Sequence, residues 1–146
     1  MNKKLFILGG VALIAVGLMW TLQRQRADAT EASMADPEAG APMVDVALPA
    51  TLSAEAQMGE RAFQTACASC HGENAAGQEG VAPPLIHKIY EPSHHGDMAF
   101  QLAAQNGVRA HHWRFGDMPP VEGLTRADVA TIVAYVREVQ RENGID

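Results

Sequence analysis

Cys67-Ala68-Ser69-Cys70-His71 is the stretch that decides the fold, because it places two thiols three residues apart with an imidazole directly after the second. These are the only two cysteines of the chain, so a disulfide framework is excluded. A thioredoxin-like dithiol needs a βαβ context, and no such pattern surrounds the motif. A structural zinc site needs a second ligand pair, which only histidines could supply here. We therefore interpret the motif as a covalent attachment site for haem.

The chemistry of attachment explains this spacing. Two thiols at a helix end can add across two vinyl groups on one edge of a porphyrin, and the adjacent imidazole then lies under the ring, facing the iron. We expect one covalent haem on Cys67 and Cys70, with His71 as an axial iron ligand. Composition agrees, because a domain near 90 residues is only marginally stable on its own burial. Outside residues 5–22 the chain has six aromatic residues, namely Phe63, Tyr90, Phe100, Trp113, Phe115 and Tyr135.

The second axial ligand has several candidates downstream. They are Met98, Met118, His87, His94, His95, His111 and His112. Met118 is followed by two prolines that would hold its loop extended and rigid. Met98 falls inside a predicted helix, where a methionine is more often part of the core. We predict that Met118 binds the iron, and a histidine is the alternative. Thioether ligation raises the potential of the haem and favours electron transfer over O₂ binding.

The rest of the sequence predicts an all-α domain over residues 53–146. Three helices are expected, one capped by Ser53, one from about Gly96 to Gln105 that is stopped by Asn106-Gly107, and one capped by Thr125. The last has a Thr-x-x-Asp capping box, ends at Asn143-Gly144, and carries an apolar stripe of Val129, Ile132, Val133, Val136 and Val139. Residues 72–92 and 108–123 are irregular, and no segment alternates with the period of a strand.

The N-terminal region predicts a membrane anchor. Residues 1–4 are a short basic start, and residues 5–22 contain no charged side chain. Eighteen helical residues span about 27 Å, close to the ~30 Å of a bilayer core. We predict an uncleaved transmembrane signal-anchor. The alternative is a cleaved secretory signal, with Ala27-Asp28-Ala29 as its cleavage site.

A tether and an acidic charge balance follow the anchor. Residues 23–52 are rich in alanine, proline and acidic residues without a helical or strand period, which predicts a disordered tether. Residues 27–146 carry 7 basic and 17 acidic side chains, a net charge of −10. This balance argues against nucleic-acid binding.

With these motifs in place, the chain resembles a class I c-type cytochrome of the membrane-anchored bacterial monohaem type, over about residues 52–144. Four further motifs carry the resemblance: Gly59 with Phe63, Pro83-Pro84-Leu85, Tyr135, and Gly116-Asp117-Met118-Pro119. The resemblance implies the cytochrome c fold, with three main helices around a haem that exposes one edge. It also implies that the Pro83 carbonyl accepts a hydrogen bond from His71 and that Leu85 packs on the haem. We expect Trp113, which lies outside the family's general motifs, to contact the haem as well.

The function implied is that of a one-electron carrier, not an enzyme, on the periplasmic side of the bacterial cytoplasmic membrane. Its expected partners are a membrane oxidase or reductase, or a periplasmic dehydrogenase. One alternative is a haem-based sensor or haem enzyme with an open sixth site. Another is a copper-handling haem module that uses His94, His95, His111 and His112, which are not general features of the family.

Overall fold

The computed structural model describes residues 17–26 and 38–146. The described residues fall into two units, divided between Pro37 and Glu38. In the first unit residues 17–26 are helical, and the Arg24 guanidinium lies 3.9 Å from the centroid of the Trp20 ring. No helix among the described residues has the length and hydropathy needed to cross a membrane. Most of the predicted span at residues 5–22, the basic start at 1–4 and the alternative cleavage site lie outside the described residues.

The second unit is helical, as predicted. Its α-helices are α1 (Ala54–Ala66), α2 (Ala68–His71), α3 (Asp97–Asn106) and α4 (Arg126–Glu142). Two 3₁₀ helices lie between them, at Glu73–Ala75 and Lys88–Tyr90. Over residues 38–146 the only strand-like pairings are two isolated bridges, Gln78 with Ala82 and Val108 with Met118. The prediction of an all-α domain with three main helices is confirmed.

The predicted helix ends are confirmed by their hydrogen bonds. The Ser53 hydroxyl accepts from the Ala56 amide at the start of α1. Thr125 and Asp128 form a reciprocal capping box at the start of α4. Gly107 ends α3 with a φ of +73°, a left-handed conformation that favours glycine. These caps fix where each helix begins and ends, and so fix the loops between them.

The core forms where α1 crosses α4. Gly59 sits at the crossing, and a Cβ added there would overlap the Thr131 carbonyl oxygen. Beside it Phe63 and Tyr135 are fully buried, with ring centroids 5.6 Å apart. All five residues of the predicted apolar stripe on α4 are buried, namely Val129, Ile132, Val133, Val136 and Val139. The close approach of the two helices therefore depends on the missing side chain at position 59.

The structure corrects the predicted boundary between tether and domain. Disorder is predicted throughout residues 23–52, but residues 38–52 belong to the folded unit. The Met43 amide donates to the Ala76 carbonyl over 3.1 Å. Ala47 exchanges two hydrogen bonds with the Asn143 side chain, at 2.9 and 2.8 Å.

Apolar contacts add to these hydrogen bonds, since Val46 and Leu52 pack against the core. The segment is held mainly by its backbone and by single apolar residues, which is why it lacks a helical or strand period. The folded domain therefore begins near Glu38, about fifteen residues earlier than predicted.

Replacing Gly59 with alanine tests the helix crossing. The added methyl group would overlap backbone atoms of α4, which cannot rotate away as a side chain can. We expect a loss of about 3 kcal/mol in the free energy of unfolding, at the upper end of overpacking effects. Denaturant unfolding of the haem-loaded protein measures it. Gly96→Ala is the matched control, because its methyl group would meet only the Pro92 carbonyl oxygen at an ordinary 3.5 Å. Equal losses in the two variants would contradict the proposed role of the crossing.

Candidate functional site

The cysteine motif lies where α1 gives way to α2. Cys67 follows the last residue of α1, and its amide donates to the Phe63 carbonyl over 2.8 Å. The His71 amide donates to the Cys67 carbonyl over 2.9 Å, which closes one helical turn around the motif. Burial, and secondarily the neighbouring Cys70, raises the pKa of the Cys67 thiol to about 11. Both thiols thus sit on one turn, with Cys67 partly buried and Cys70 exposed.

Gln78 holds this turn in place from the following loop. Its side-chain amide donates to the carbonyls of Ser69 and Cys70, over 2.9 and 3.1 Å, and more weakly to that of Ala68 over 3.3 Å. The carbonyls at the C-terminal end of a helix lack partners within the helix, so this amide stabilises the turn. The sequence analysis did not identify Gln78, because no spacing rule marks a glutamine that caps a neighbouring turn.

The hydrogen bond of His71 sets the tautomer of its imidazole. Nδ1 lies 2.9 Å from the Pro83 carbonyl oxygen, the contact that the resemblance implied. A carbonyl can only accept, so Nδ1 carries the hydrogen and Nε2 keeps its lone pair. Burial lowers the pKa of His71 more than this hydrogen bond raises it. The imidazole is therefore neutral and oriented, as a metal-ligating histidine must be.

A cavity of about 510 Å³ opens beside this imidazole. Its volume lies within the range of about 300–1,000 Å³ that is typical of ligand pockets. Every residue predicted to bind the haem lines its wall, namely Cys67, Cys70, His71, Pro83, Leu85, Trp113 and Met118. Helices α3 and α4 complete the wall with apolar side chains that include Phe100, Ala103 and Ile132. The fold thus gathers residues from five separate loops and helices around one largely apolar space.

Met118 reaches this wall on a loop that is fixed by its backbone. Val108 and Met118 exchange two backbone hydrogen bonds, each of 2.9 Å. Gly107 allows the approach, because a Cβ there would overlap the Met118 carbonyl oxygen. The Asp117 carboxylate accepts from the Ala110 amide over 2.8 Å and braces the same turn. The position of Met118 is therefore set before any ligand contributes to it.

Met98 lies elsewhere, and the expectation that it belongs to the core is wrong. Its side chain is 56% exposed and is not among the described residues that line the cavity. Its sulfur instead lies 4.0 Å from an Arg126 guanidinium nitrogen. Met98 thus lies outside the cavity wall, so the structure separates the two methionine candidates.

The candidate histidines also divide by position. Of those described, His95, His111 and His112 contribute to the cavity wall, whereas His87 and His94 do not. His87 accepts from the Ile89 amide through Nδ1, over 3.2 Å. A histidine as second iron ligand would therefore come from the group of three at the cavity.

An unpartnered polar atom tests whether the cavity fits a haem. Trp113 Nε1 is buried in the wall without a hydrogen-bond partner. A neighbouring polar side chain is that of Tyr90, whose pKa is raised by burial and lowered by Trp113. The two side chains do not form a hydrogen bond, so Tyr90 does not satisfy this N–H. Buried donors are normally satisfied, so this N–H indicates an acceptor within the cavity, such as a propionate. Together with a neutral imidazole, a thioether and two thiols, the cavity provides the donor set of a c-type haem.

Comparison with known proteins agrees with this geometry. The model of the family described as Cytochrome c matches residues 56–140, which is more than half of the chain. Neither the curated proteins nor the solved structures gave a match. The matched range contains the cysteine motif, Pro83, Trp113 and Met118.

Proposed function

The chain belongs to the cytochrome c family and carries covalently attached haem c, and from this premise we propose that it is a one-electron carrier whose iron is bound by His71 and Met118. The observation that supports the proposal best is the shared cavity wall, where both ligands lie with the two cysteines. The protein is proposed to transfer electrons and not to be an enzyme, since Met118 would occupy the position at which a substrate or gas binds.

The residues around the cavity suit electron transfer. When bound, the haem supplies a redox centre that gains and loses one electron. The Pro83 carbonyl holds the Nδ1 proton of His71, which orients the ring and raises the basicity of Nε2. A Met118 thioether is a soft ligand that stabilises the reduced iron. The apolar wall excludes water, which also favours the less charged, reduced form.

Replacing Met118 with alanine tests the ligand assignment. Loss of the thioether should lower the reduction potential and let carbon monoxide bind the ferrous protein. A visible spectrum of the reduced protein with and without carbon monoxide, and a redox titration, measure both effects. Met98→Ala is the matched control, since Met98 is exposed and its loss should cost no more than about 0.5 kcal/mol of stability. Carbon monoxide binding in Met98→Ala but not in Met118→Ala would overturn the assignment.

We further propose that residues 5–22 anchor the haem domain to the periplasmic face of the bacterial cytoplasmic membrane. Their lack of charge and the arginines that follow, Arg24 and Arg26, support this. A tether would raise the local concentration of the domain near membrane partners. The full-length protein should remain with membranes after a high-salt wash, and a form that begins near Asp28 behind a cleavable signal should not. A native protein that is released from the periplasm with Thr30 as its first residue would contradict anchoring.

We expect the redox partners to dock at the apolar edge of the cavity, on a protein whose net charge is negative. Residues 27–146 carry a net charge of −10, and the exposed side chains of Val81 and Leu102 border the cavity. A basic partner face would be steered by this charge, and a transient interface would close on the apolar edge.

Ionic strength tests the sign of the field at the cavity. Raising the salt should slow oxidation by a small cationic oxidant and speed oxidation by an anionic one, because the Debye length falls to about 10 Å at 0.1 M. Stopped-flow rates measure both. If oxidation by the anionic reagent slows instead, the field at the haem edge is positive and this docking proposal fails.

A further inference from the structure

Four histidines from two separate loops meet at the rim of the cavity. His94 and His95 precede α3, and His111 and His112 lie in the loop between α3 and Met118. One ligand nitrogen from each of His94, His95 and His112 lies within 4.8 Å of the others. The Nε2 atoms of His94 and His112 are 3.3 Å apart. The two loops thus bring nitrogens together that are up to 18 positions apart in the sequence.

Hydrogen bonds to backbone carbonyls set the tautomers of two of these rings. His95 Nδ1 donates to the Ile89 carbonyl over 2.6 Å, and His111 Nδ1 donates to the Arg109 carbonyl over 2.8 Å. Each ring therefore keeps its lone pair on Nε2. A histidine that binds a metal ion typically donates its other ring N–H to a carbonyl or carboxylate in this way.

A buried arginine fixes the first of the two loops. Arg137 of α4 donates to the carbonyls of His95 and Tyr90, over 2.5 and 2.7 Å, and to the Asp97 carboxylate over 2.9 Å. The second loop is fixed at its base by the paired backbones of Val108 and Met118. Supports of this kind hold ligating side chains close to their binding geometry.

We propose that His94, His95 and His112 bind one divalent transition-metal ion, Cu²⁺ in preference to Zn²⁺, at the rim of the haem cavity. Imidazole nitrogens suit copper and zinc, whereas carboxylate and carbonyl oxygens suit magnesium and calcium. No carboxylate belongs to the cluster that the described residues form. The order of metal affinities for such nitrogen sites places Cu²⁺ above Zn²⁺. This site is separate from the iron site of the proposed function.

The separations fit a metal ion once the exposed rings turn. Metal–nitrogen bonds of about 2.0–2.1 Å place neighbouring ligands about 2.8–3.0 Å apart in the tetragonal geometry that Cu²⁺ prefers, and about 3.3–3.4 Å apart in a tetrahedral site. The 3.3 Å between the Nε2 atoms of His94 and His112 lies close to both, and separations of up to 4.8 Å must shorten by more than 1 Å. His94 and His112 are exposed and can turn, whereas His95 is held by its hydrogen bond. His111, whose ring centroid lies 4.3 Å from that of His112, is the nearest further ligand.

The test is a metal titration of the full-length, haem-loaded protein after treatment with a chelator. Calorimetry with Cu²⁺ and with Zn²⁺ should each give one equivalent, with Cu²⁺ bound more tightly. Electron paramagnetic resonance of the Cu²⁺ form should show coupling to several nitrogens. The double variant His94→Gln/His112→Gln should bind Cu²⁺ more weakly by at least the ~10–100-fold that changes beside a metal site typically cost. His87→Gln is the matched control, because His87 lies outside the cluster and the cavity wall.

The outcomes separate this site from the iron site. In the absence of added metal, the visible spectrum of the single variant His94→Gln should equal that of the parent protein, because His94 lies outside the cavity wall. An altered spectrum would assign His94 to the iron and overturn the proposal. The absence of stoichiometric binding, or equal binding in the parent protein and the double variant, would overturn it as well. The single variant His112→Gln keeps the test decisive if the double variant folds poorly.

Discussion

The hydrogen bond between His71 and the Pro83 carbonyl is the contact on which the haem site depends. It commits one ring nitrogen to the backbone, which leaves the other free to bind iron and fixes the plane of the ring. This hydrogen bond forms only if both the imidazole of His71 and the carbonyl of Pro83 are fixed in position. On one side Gln78 stabilises the turn that carries the imidazole. On the other side Leu85 donates its amide to the Ala75 carbonyl over 2.9 Å, which holds the loop of Pro83. The geometry of the backbone therefore positions the donor, His71 Nδ1, and the acceptor, the Pro83 carbonyl, at the cavity.

Sequence patterns predicted the parts of the structure that depend on neighbours along the chain. The caps at Ser53 and Thr125 and the helix stop at Gly107 follow from local rules, and all three were predicted. Gly59 at the helix crossing was identified through the family resemblance. The residues proposed to bind the haem also gather at one cavity, since their motif spacings reflect the distances along a helix turn and a loop. Local rules failed for residues 38–52, where long-range hydrogen bonds hold a segment that has no period of its own.

Arg137 shows why the remainder could not be predicted. From the sequence it is an arginine near the C-terminal end of a helix, where a cation interacts favourably with the helix dipole. In the structure it is buried, at 7% exposure, and three of its hydrogen-bond acceptors lie 40 to 47 positions earlier in the chain. Gln140 extends this network from the next turn of α4 to the carbonyls of Leu85 and Tyr90. A buried charge costs several kcal/mol unless it is fully hydrogen-bonded. Because the hydrogen bonds of Arg137 and Gln140 reach the loops around the cavity, they fix α4 relative to those loops.

This network has a functional consequence, because the loop that it fixes carries two of the four clustered histidines. His95 belongs both to the cavity wall and to the proposed metal site, so the two centres share a boundary. A divalent cation at that boundary disfavours the more positive, oxidised iron and so raises the reduction potential of the haem. Linkage between two sites is reciprocal in free energy, so reduction of the haem must tighten binding of the metal ion by the same factor. If the rim binds a metal ion as proposed, the redox state of the haem and the occupancy of the rim site are therefore coupled, without any change of fold.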